Sequence, residues 1–465
     1  MRMGFLSSNI PGGNNTLEKT FRKKLIKLVL PITLQKFFYA LIPVSDAVML
    51  VALNQDAMSA VSLATQVQFV LQLFIFAITS GESMLAAQFW GKKDKTSVES
   101  ILAYCVKLTL PISLLFFLAT MLIPDKVMMI FTNDPSIIEY GCDYLRIVSC
   151  SYLFISLILI FETILKNTDL VKPVTVISLS MVVMNIVFNA IFIFGLFGLP
   201  KMEAAGAALS TTLTEGIALI AVIIIFIKKG KIKFRSDKLL SVPETIKKDF
   251  IKYTSPILAN QLTWGIGFTM INVIIGHLNS DAIAANSIAV VVKDLISCFC
   301  FSLGTGGAIL VGNELGAGNL DIAKEYGGRL CKIGIITGVL SGILIGIISP
   351  LVAAKVNLTE TASHYLQIML LMCIYYMIGR TMNGLVISGI FCAGGDTRFG
   401  FICDTITMWG FIIPVGILTS FILKLPVLVT FFVLNLDEMV KLPFVYKHYK
   451  KYLWVKNLTI QNNNS

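Results

Sequence analysis

Charged residues are scarce in this chain of 465 residues, because Asp, Glu, Lys and Arg together make up only 14% of it. Soluble domains contain roughly a quarter of such residues. Only three histidines occur, and the nine cysteines include no CxxC pair, so the sequence indicates neither a metal centre nor a redox site. A Walker-type phosphate-binding motif is also lacking, which argues against ATP as the direct energy source.

Apolar residues are abundant instead, since they make up 56% of the chain and the mean hydropathy is +0.81. So few charges could not cover this much apolar surface in water, which argues against a soluble enzyme. The same numbers exclude a disordered chain, a collagen and a small disulfide-stapled secreted domain. On a soluble protein the net charge of +11 (38 − 27) would suggest nucleic acid, so its distribution along the chain decides its meaning.

The apolar residues lie in twelve blocks that are long enough to cross a bilayer as helices, which takes about 20 residues. The blocks are 25–53, 61–89, 101–123, 144–165, 173–199, 204–228, 254–278, 283–311, 329–353, 364–394, 399–423 and 425–446. They show no sustained period-2 alternation, so helices are expected rather than the strands of a membrane barrel. The first block is too long for a signal-peptide core and lacks a small-residue cleavage site, so we interpret it as a retained first span.

Basic residues cluster on one side of the predicted membrane. The largest groups precede the first span, fill the central loop at 229–253 and follow the last span. The opposite loops contain only Lys126, Lys201, Lys355 and Lys424. By the positive-inside rule, both termini and the central loop are cytoplasmic in a multi-pass protein of the cell membrane. The net charge therefore predicts membrane topology and no nucleic-acid partner.

The two halves of the chain resemble each other at a constant offset of 225 residues, which aligns Gly, Pro and Asp positions. The matched pairs include Pro31 with Pro256, Asp56 with Asp281, Gly81 with Gly306 and Gly91 with Gly316. This repeat predicts an all-α polytopic membrane protein with twelve transmembrane helices in two six-helix lobes. Because six is even, the lobes share one orientation, and a pseudo-two-fold axis along the membrane normal relates them. Such repeats are typical of transporters, whose substrate site lies between the repeats near mid-membrane.

The repeat and the charge pattern together define the predicted domain organisation. It consists of a cytoplasmic N-terminal segment 1–24, a first lobe 25–228 with spans 1–6, a basic cytoplasmic linker 229–253, a second lobe 254–446 with spans 7–12, and a cytoplasmic C-terminal tail 447–465. A channel, a receptor or a membrane enzyme has less need of two matched lobes, so a secondary transporter is the favoured class.

Asp46 is the clearest charged residue inside a predicted span, since no basic residue lies three or four positions away. A charge near the bilayer centre costs several kcal/mol and therefore requires an explanation. The repeat mate of Asp46 is Ile271, so the second lobe carries no copy. The carboxylate could bind a cation when ionised or hold a proton. The alternative is a structural carboxylate that is bonded to Ser, Thr or backbone.

Asn185 and Asn189 lie four residues apart in the fifth predicted span and so share one helix face. Their amide oxygens are hard neutral ligands of the kind that Na+ accepts. Asn also forms interhelical hydrogen bonds in lipid, and the spacing alone does not separate the two interpretations. Thr211 in the sixth span could add a hydroxyl, although a single membrane Thr commonly serves packing.

The other polar residues inside the spans fall into two groups. Seven of them could line a central substrate cavity, namely Tyr39, Glu82, Glu215, Gln261, Trp264, Tyr376 and Arg380. The remaining ones are interpreted as structural. Glu162 has Lys166 at i+4, which predicts an ion pair. Asp437, Glu438 and Lys441 lie near the cytoplasmic end of the last span and require no special role.

The order of several short motifs resembles the multidrug and toxic compound extrusion (MATE) family over nearly the whole chain. The motifs are Pro31–Asp46, Asp56–Ser62, Gly81–Gly91, Asn185–Gly195, Ala205–Thr211 and Gly394–Thr397. Each motif is weak by itself, but their order within a twelve-span repeat is specific. The resemblance implies a drug/cation antiporter driven by Na+ or H+, with a V-shaped pair of six-helix lobes and no tightly bound cofactor.

The resemblance also implies a site. In similar proteins the coupling-cation site lies in the first lobe, and its four positions correspond to Asp46, Asn185, Asn189 and Thr211 of this chain. Some relatives carry an Asp where this chain has Asn189. One carboxylate then remains in the site, so we expect Na+ to be favoured slightly over H+.

The second lobe departs from the family pattern. Other relatives carry a Glu in the seventh span and an Asp in the tenth. Near those places this chain has Gln261 and Trp264, and then Arg380 and Thr381. We therefore expect the second lobe to lack an acidic site. Arg380 could suit an anionic or zwitterionic group, so a cationic substrate is not assumed.

Together these features predict a multidrug efflux antiporter. It would export small organic compounds, often cationic and amphiphilic, in exchange for Na+ or H+ by alternating access, and would act as a monomer in the lipid bilayer. The runner-up is a flippase for lipid-linked oligosaccharides or precursors from the same superfamily. A non-transporting receptor is a third class. An enzyme is not expected, because no nucleophile–base or metal-ligand constellation occurs.

Overall fold

A computed structural model of the chain describes residues 14–51, 55–235, 237–356 and 358–460. These residues form helices that are joined by short connections, and no β-strand occurs among them. In lipid a helix satisfies the backbone hydrogen bonds within its own segment, which is why long apolar blocks adopt this structure. The predicted all-α polytopic architecture is confirmed.

Helices follow one another in both halves of the chain. The first half contains α1 (Asn14–Val51), α2 (Gln55–Gly91), α3 (Lys95–Leu122), α4 (Pro124–Met129), α5 (Pro135–Asn167), α6 (Val171–Phe194), α7 (Glu203–Lys229) and α8 (Asp237–Leu240). The second half contains α9 (Glu244–Gly276), α10 (Ser280–Gly316), α11 (Leu320–Lys355), α12 (Glu360–Asn383), α13 (Thr397–Thr407), α14 (Ile413–Ile417), α15 (Val427–Leu434) and α16 (Asp437–Tyr449). Wider π-helical segments follow α12, α13 and α14, at Gly384–Phe391, Met408–Ile412 and Leu418–Ile422.

Polar residues begin some helices earlier than the apolar blocks predict. Asp94 precedes α3, and its carboxylate accepts a hydrogen bond from the Ser97 amide at 3.0 Å. Asp134 accepts one from the Ser136 amide at 3.0 Å before α5. Such caps satisfy amide groups that have no partner in the first helical turn. The spans of α3 and α5 therefore begin in the polar connection, several residues before their apolar blocks.

Eleven helical segments are long and apolar enough to cross a membrane, counted over the described residues. The twelfth predicted block, 425–446, is also helical, but it consists of two pieces that are separated after Leu434. Asp437 and Glu438 occupy the first turn of the second piece, α16. Carboxylates are favourable there because the amide groups at a helix N-terminus carry partial positive charge. The last predicted span is thus an interrupted helix.

The internal contacts divide the chain into two compact units. The first-half unit consists of Leu34–Ala86 and Asp94–Ile251. Among the described residues, the second-half unit consists of those up to Thr33, of Ala87–Lys93 and of those from Lys252 onward. The beginning of α1 and the end of α2 therefore belong to the second-half unit, although they lie in the first half of the sequence.

The core of the first-half unit is built from apolar side chains of α2, α4, α5 and α7, and Leu71, Met128 and Tyr152 are fully buried in it. α7 contributes small residues to this core, so it approaches its neighbours closely. A Cβ atom on Gly206 would lie 2.8 Å from the backbone of Phe192, so the close contact between α7 and α6 requires glycine. This contact positions the polar residues of both helices.

The core of the second-half unit centres on α12, where Leu370 is fully buried. α11 packs on α12 through glycines. A Cβ atom on Gly338 would lie 2.9 Å from the Cα atom of Ile378, and one on Gly342 would lie 2.8 Å from the carbonyl oxygen of Ile374. Small residues at this spacing permit close packing of membrane helices, because the backbones can touch.

The segment after α16 packs inside the second-half unit, to which it belongs. Trp454 is fully buried. Gln88, at the end of α2, donates from Nε2 to the carbonyl of Ala393 at 2.7 Å and to that of Lys456 at 3.1 Å. Its Oε1 accepts a hydrogen bond from the Leu458 amide at 2.6 Å. These contacts hold the end of α2 in the second-half unit.

Candidate functional site

Three of the residues predicted as a cation site meet between α1 and α6 in the first-half unit. Asn189 Nδ2 donates a hydrogen bond to Oδ1 of Asp46. The same nitrogen donates to Oδ1 of Asn185 at 3.2 Å. Asn185 and Asn189 are buried, and Asp46 is half-buried. The amide of Asn189 therefore links the carboxylate of α1 to the second amide on α6.

α7 contributes the next polar residues. The Ser210 hydroxyl donates to the backbone carbonyl of Asn185 at 3.0 Å and accepts from Asn185 Nδ2 at 3.5 Å. The neighbouring Thr211 is buried. Neither its hydroxyl nor Oδ1 of Asn189 has a hydrogen-bond partner within the described part of the chain. Buried polar atoms without partners are uncommon in folded proteins and require an explanation.

The structure thus joins Asp46, Asn185 and Asn189 through hydrogen bonds, whereas Thr211 is adjacent in sequence to the residue that contacts Asn185. That residue, Ser210, is missing from the set predicted by sequence. Consecutive helix residues point about 100° apart, so only one of the two hydroxyl residues can face Asn185. The sequence gives no signal that distinguishes them, because it does not say which face of α7 meets α6.

The chemistry of this cluster fits a small cation. Asp46 supplies one negative charge, and the amides and the Thr211 hydroxyl supply neutral oxygens of the hard type that such cations prefer. The unpartnered oxygens of Asn189 and Thr211 could serve as ligands. A proton on Asp46 fits the same arrangement, because a neutral carboxyl group needs no counter-charge in an apolar environment.

Glu215 of α7 extends the polar region of the first-half unit. Its side chain is buried, and its Oε2 accepts no hydrogen bond from the described residues. Tyr144 of α5 is also buried and lies close enough to interact electrostatically with both Asp46 and Glu215. Tyr144 therefore lies within electrostatic range of both the predicted cavity residue Glu215 and the Asp46 cluster.

A second polar cluster lies nearer the beginning of α1 and is centred on Glu162 of α5. Glu162 accepts hydrogen bonds from Gln35 Nε2 at 2.6 Å and from the Tyr39 hydroxyl at 3.1 Å. It also accepts one from Ser178 Oγ at 3.3 Å. Lys166 Nζ is 3.6 Å from Glu162 Oε2, which confirms the predicted ion pair. The predicted cavity residue Tyr39 thus belongs to a hydrogen-bonded network, and Gln35 and Ser178 are members that the sequence did not reveal.

Glu82 of α2 is completely buried. Neither of its carboxyl oxygens has a hydrogen-bond partner in the ranges that the structure describes. Lys166 is near enough to interact with it electrostatically. The sequence predicts Glu82 as a cavity residue, and in this structure its side chain has no exposed surface.

The second-half unit contains a charged cluster that contradicts the sequence-based expectation. Glu438 accepts hydrogen bonds from Arg380 Nη1 at 3.0 Å and from Asn383 Nδ2 at 2.8 Å. Lys441 Nζ lies 3.2 Å from Glu438 and 2.9 Å from Asp404. The expectation that the second lobe lacks an acidic site is therefore wrong. The charges of α16, for which the sequence predicts no special role, are buried and take part in these ion pairs.

The break before α16 explains this error. It places Asp437 and Glu438 in a new first turn, which packs on α12 so closely that a Cβ atom on Gly379 would lie 2.9 Å from the Glu438 side chain. Inside the unit each charge has an opposite charge beside it, as buried ions require.

Aromatic rings surround the cations of this cluster. The guanidinium carbon of Arg380 lies 4.7 Å from the ring centre of Phe301 and 5.9 Å from that of Trp264. Lys293 Nζ lies 4.6 Å from the ring centre of Tyr376. These distances are in the range of cation–π contacts. The structure therefore brings the predicted cavity residues Trp264, Tyr376 and Arg380 into one cluster.

A small cavity adjoins the charged cluster. It is lined by Thr263, Trp264, Asp404, Thr407, Met408, Asp437 and Lys441. Asn260 Nδ2 donates to Asp404 at 2.9 Å, so this amide of α9 is a member of the cluster that the sequence did not reveal. The predicted residue Gln261 follows it directly and is half-buried.

Comparison with known proteins assigns this architecture to a family. The family model MatE matches residues 31–191 and 256–418 of the chain. The chain belongs to the MatE family. The two matches begin at Pro31 and Pro256, which are separated by 225 residues (256 − 31). The predicted internal repeat of this MatE protein is confirmed.

Two proteins of Bacillus subtilis (strain 168) resemble the MatE protein along most of their length. The uncharacterized transporter YisQ is 24% identical over 446 residues, which cover 94% of this chain and 96% of YisQ. The probable multidrug resistance protein YoeA is 24% identical over 416 residues, which cover 87% of this chain and 88% of YoeA. The relationship therefore extends over both halves of the chain.

Solved structures share the fold of the MatE protein. The Vibrio cholerae MATE transporter VcmN superimposes with a TM-score of 0.86 at 13% identity and covers 96% of this chain and 100% of its own. A MOP superfamily transporter from Pyrococcus furiosus gives a TM-score of 0.85 at 15% identity and covers 95% of this chain and 97% of its own. These similarities confirm the predicted twelve membrane helices in two lobes. Members of the family are transporters, so the MatE protein is a membrane transporter and not an enzyme.

Proposed function

We propose that the MatE protein is a secondary antiporter that exports small organic compounds in exchange for Na+ or H+ by alternating access. The observation that carries this proposal is the Asp46 cluster. A carboxylate inside a membrane span contacts the amide of Asn189, which in turn contacts Asn185, and two buried oxygens nearby have no partner among the described residues. An unpaired carboxylate within the membrane is costly, so a transported cation explains its presence.

The composition of the site supports Na+ ahead of H+. Asp46 is the one carboxylate in direct contact with the two amides of α6, since position 189 is Asn. Neutral amide and hydroxyl oxygens contribute to the binding of a metal cation, whereas a proton needs only the carboxylate. A single carboxylate with several neutral oxygens is therefore the set that suits Na+.

The hydrogen bonds of the site suggest how the cation acts on the helices. Asn189 now directs its NH2 group toward Asp46 and Asn185. A cation bound to Asp46 repels this NH2 group, so the amide of Asn189 must turn its oxygen toward the cation. The hydrogen bonds that join α1 to α6 are then lost. Cation binding thereby favours a different packing of α1, and this unequal affinity for two conformations is what coupling requires.

The substrate class rests on relatives and on the second-half unit. YoeA is named a probable multidrug resistance protein, which supports export of drug-like compounds. The charged cluster of the second-half unit contains both signs, so it does not prescribe a purely cationic substrate. For the Pyrococcus furiosus transporter, a reverse polarity of the binding pocket suggests a different function. Substrate charge therefore depends on the pocket and not on the fold.

The residues predicted to line the substrate cavity differ in their contacts. Tyr39, Tyr376 and Arg380 are engaged with neighbouring side chains, which supports a positioning role. Trp264 lines the small cavity beside Asp404, and Gln261 is half-buried close by, which supports substrate contact for these two. We further propose that the protein works as a monomer in the cell membrane. Both termini are placed on the cytoplasmic side, because the basic residues cluster in the termini and in the loops of that side.

Efflux from vesicles tests the proposed function. The purified protein is reconstituted in liposomes, and the liposomes are loaded with ethidium. A Na+ gradient and a pH gradient are then imposed in separate experiments. We expect a Na+ gradient to drive efflux and Asp46→Asn to abolish it. Glu139→Gln is the matched control, because it removes an exposed carboxylate of the same lobe and should leave efflux unchanged. Full gradient-driven efflux by Asp46→Asn would show that the coupling site lies elsewhere.

A further inference from the structure

The Glu82 carboxyl group has surroundings that differ from those of every acid in the Asp46 cluster and the charged cluster of the second-half unit. Its side chain is fully buried, and both oxygens lack a hydrogen-bond partner over the residues described here. An ionised carboxylate in such a place costs far more than a neutral one, because no dipole or donor replaces its water. In this conformation the geometry is therefore that of a carboxyl group that retains its proton.

The titratable groups that face Glu82 come from two helices. Cys105 of α3 and Lys166 of α5 both interact with it electrostatically. Cys105 is buried and neutral as a thiol, so Lys166 is the group that can compensate a negative charge on Glu82. The Lys166 side chain keeps 15% of its surface exposed, whereas Glu82 is fully buried.

Lys166 is shared between two carboxyl groups. Its ammonium is 3.6 Å from Glu162, which is long for an ion pair. Glu162 also accepts hydrogen bonds from Gln35, Tyr39 and Ser178, so these donors stabilise its charge without Lys166. The flexible lysine can therefore move toward Glu82, while the three other hydrogen-bond donors continue to stabilise Glu162.

The surroundings of Glu82 favour a proton over a metal ion as its ligand. A bound metal ion needs several oxygen atoms in one place. The hydroxyl of the adjacent Ser83 is hydrogen-bonded to Asn167, and no cluster of three or more His, Cys, Asp or Glu occurs in the described ranges. One carboxyl group beside one lysine is enough to bind and release a proton.

We propose that Glu82 is a proton-binding site of the first-half unit, separate from the Asp46 site, with Lys166 as its switchable counter-ion. When the proton is bound, Lys166 stays with Glu162, as seen here. When the proton leaves to water at the exposed end of Lys166, the ammonium moves to the new carboxylate. Proton binding by Glu82 does not depend on the proposed transport function. Its consequence, a pH dependence of Na+-driven efflux, rests on that function.

Infrared spectroscopy of the purified full-length protein in lipid nanodiscs tests proton binding directly, because a protonated buried carboxyl group has its own C=O stretching band. At pH 8 we expect Glu82→Gln to lose part of this band. Glu139→Gln, which removes an exposed carboxylate, should leave it unchanged. A spectrum of Glu82→Gln that equals the wild-type spectrum would overturn the proposal, because Glu82 would then be ionised.

The role of Lys166 has its own test, which also serves if Glu82→Gln does not fold. We expect Lys166→Met to keep the band even when the pH is raised to 10, because no cation remains to compensate a carboxylate. Lys166→Arg should restore the loss of the band with pH. A wild-type pH response in Lys166→Met would overturn the assignment of the counter-ion.

The transport consequence separates this proposal from the proposed function. We expect the rate of Na+-driven ethidium efflux to vary about 10-fold with the pH of the solution on the side of the membrane that Lys166 faces. Glu82→Gln should abolish this variation. Asp46→Asn should lose efflux but keep the infrared band of Glu82. If efflux fails in every variant while the band behaves as described, the transport function is wrong and the proton site stands. If efflux by Glu82→Gln varies with pH as in wild type, Glu82 has no part in coupling.

Discussion

The two halves of the MatE protein bury polar residues in opposite ways. In the first-half unit the Asp46 cluster contains one carboxylate, neutral amides and hydroxyls, and oxygens that have no partner among the described residues. In the second-half unit Arg380 and Lys441 are matched by Glu438 and Asp404 in direct contacts. The Asp46 cluster therefore has oxygen atoms that are free to bind a ligand, whereas the positive and negative charges of the second-half cluster compensate each other. A sequence repeat therefore preserves the helices of a lobe and not the chemistry inside it.

The largest expected effect concerns the second-half cluster. Glu438→Gln leaves Arg380 and Lys441 with one carboxylate fewer inside the protein, so we expect the free energy of unfolding to fall by about 3–5 kcal/mol. Thermal unfolding of the purified protein measures it. Asp321→Asn breaks an exposed ion pair with Lys324 and should cost no more than about 1 kcal/mol. A Glu438→Gln protein that unfolds like wild type would show that the cluster is not held by charge.

The next effect sharpens the contrast between the halves through ligand-linked stability. A Na+ concentration 100 times the dissociation constant should stabilise the wild type by about 2.7 kcal/mol. Asp46→Asn should abolish this gain, because the charged ligand is lost. Asp404→Asn should lower the starting stability but keep the gain, because its carboxylate belongs to the second-half cluster. Na+-dependent stabilisation that disappears in Asp404→Asn and persists in Asp46→Asn would reverse the comparison.

A smaller effect is expected where α7 meets α6. Gly206→Ala places a Cβ atom 2.8 Å from the backbone of Phe192 and pushes the helices apart. We expect a loss of stability of about 1–3 kcal/mol together with weaker Na+ binding. Gly328→Ala is the matched control, because its added Cβ atom meets nothing within 4 Å. Equal behaviour of the two variants would mean that the α6–α7 contact does not position the site.

The smallest effect tests the residue that the sequence did not reveal. Ser210→Ala removes the hydroxyl that holds Asn185, so we expect a loss of about 1 kcal/mol in Na+ binding, or roughly 5-fold in the dissociation constant. Titration calorimetry measures it. Ser180→Ala, which removes an exposed hydroxyl on α6, should leave binding unchanged. If Ser210→Ala also binds like wild type, the serine packs beside the site without supporting it.

The fold was predictable to a large extent because lipid leaves an apolar block few alternatives. Each long block became a helix, and the repeat offset of Pro31 and Pro256 reappears in the family match. The exception is the last block, where the break before Asp437 has no hydropathy signal. Average hydropathy cannot detect such a break, since a few polar residues within an apolar segment hardly change the mean.

The candidate site was predictable only in part. Asp46, Asn185 and Asn189 stand out because polar groups in a span are costly and because an i, i+4 spacing puts two amides on one face. Ser210, Gln35 and Asn260 give no such signal. They are ordinary polar residues whose roles depend on which neighbouring helix each one faces.

The sequence by itself determined the number of membrane blocks, their repetition and the position of the unusual carboxylate at Asp46, because these follow from hydropathy and spacing along one chain. The tertiary structure alone decided which polar residues meet. It joined α1, α6 and α7 around Asp46, left Glu82 without a hydrogen bond among the described residues, and turned the first turn of α16 toward Arg380. The reason is physical: the energy of a buried charge depends on atoms within a few ångströms, and those atoms come from distant parts of the chain.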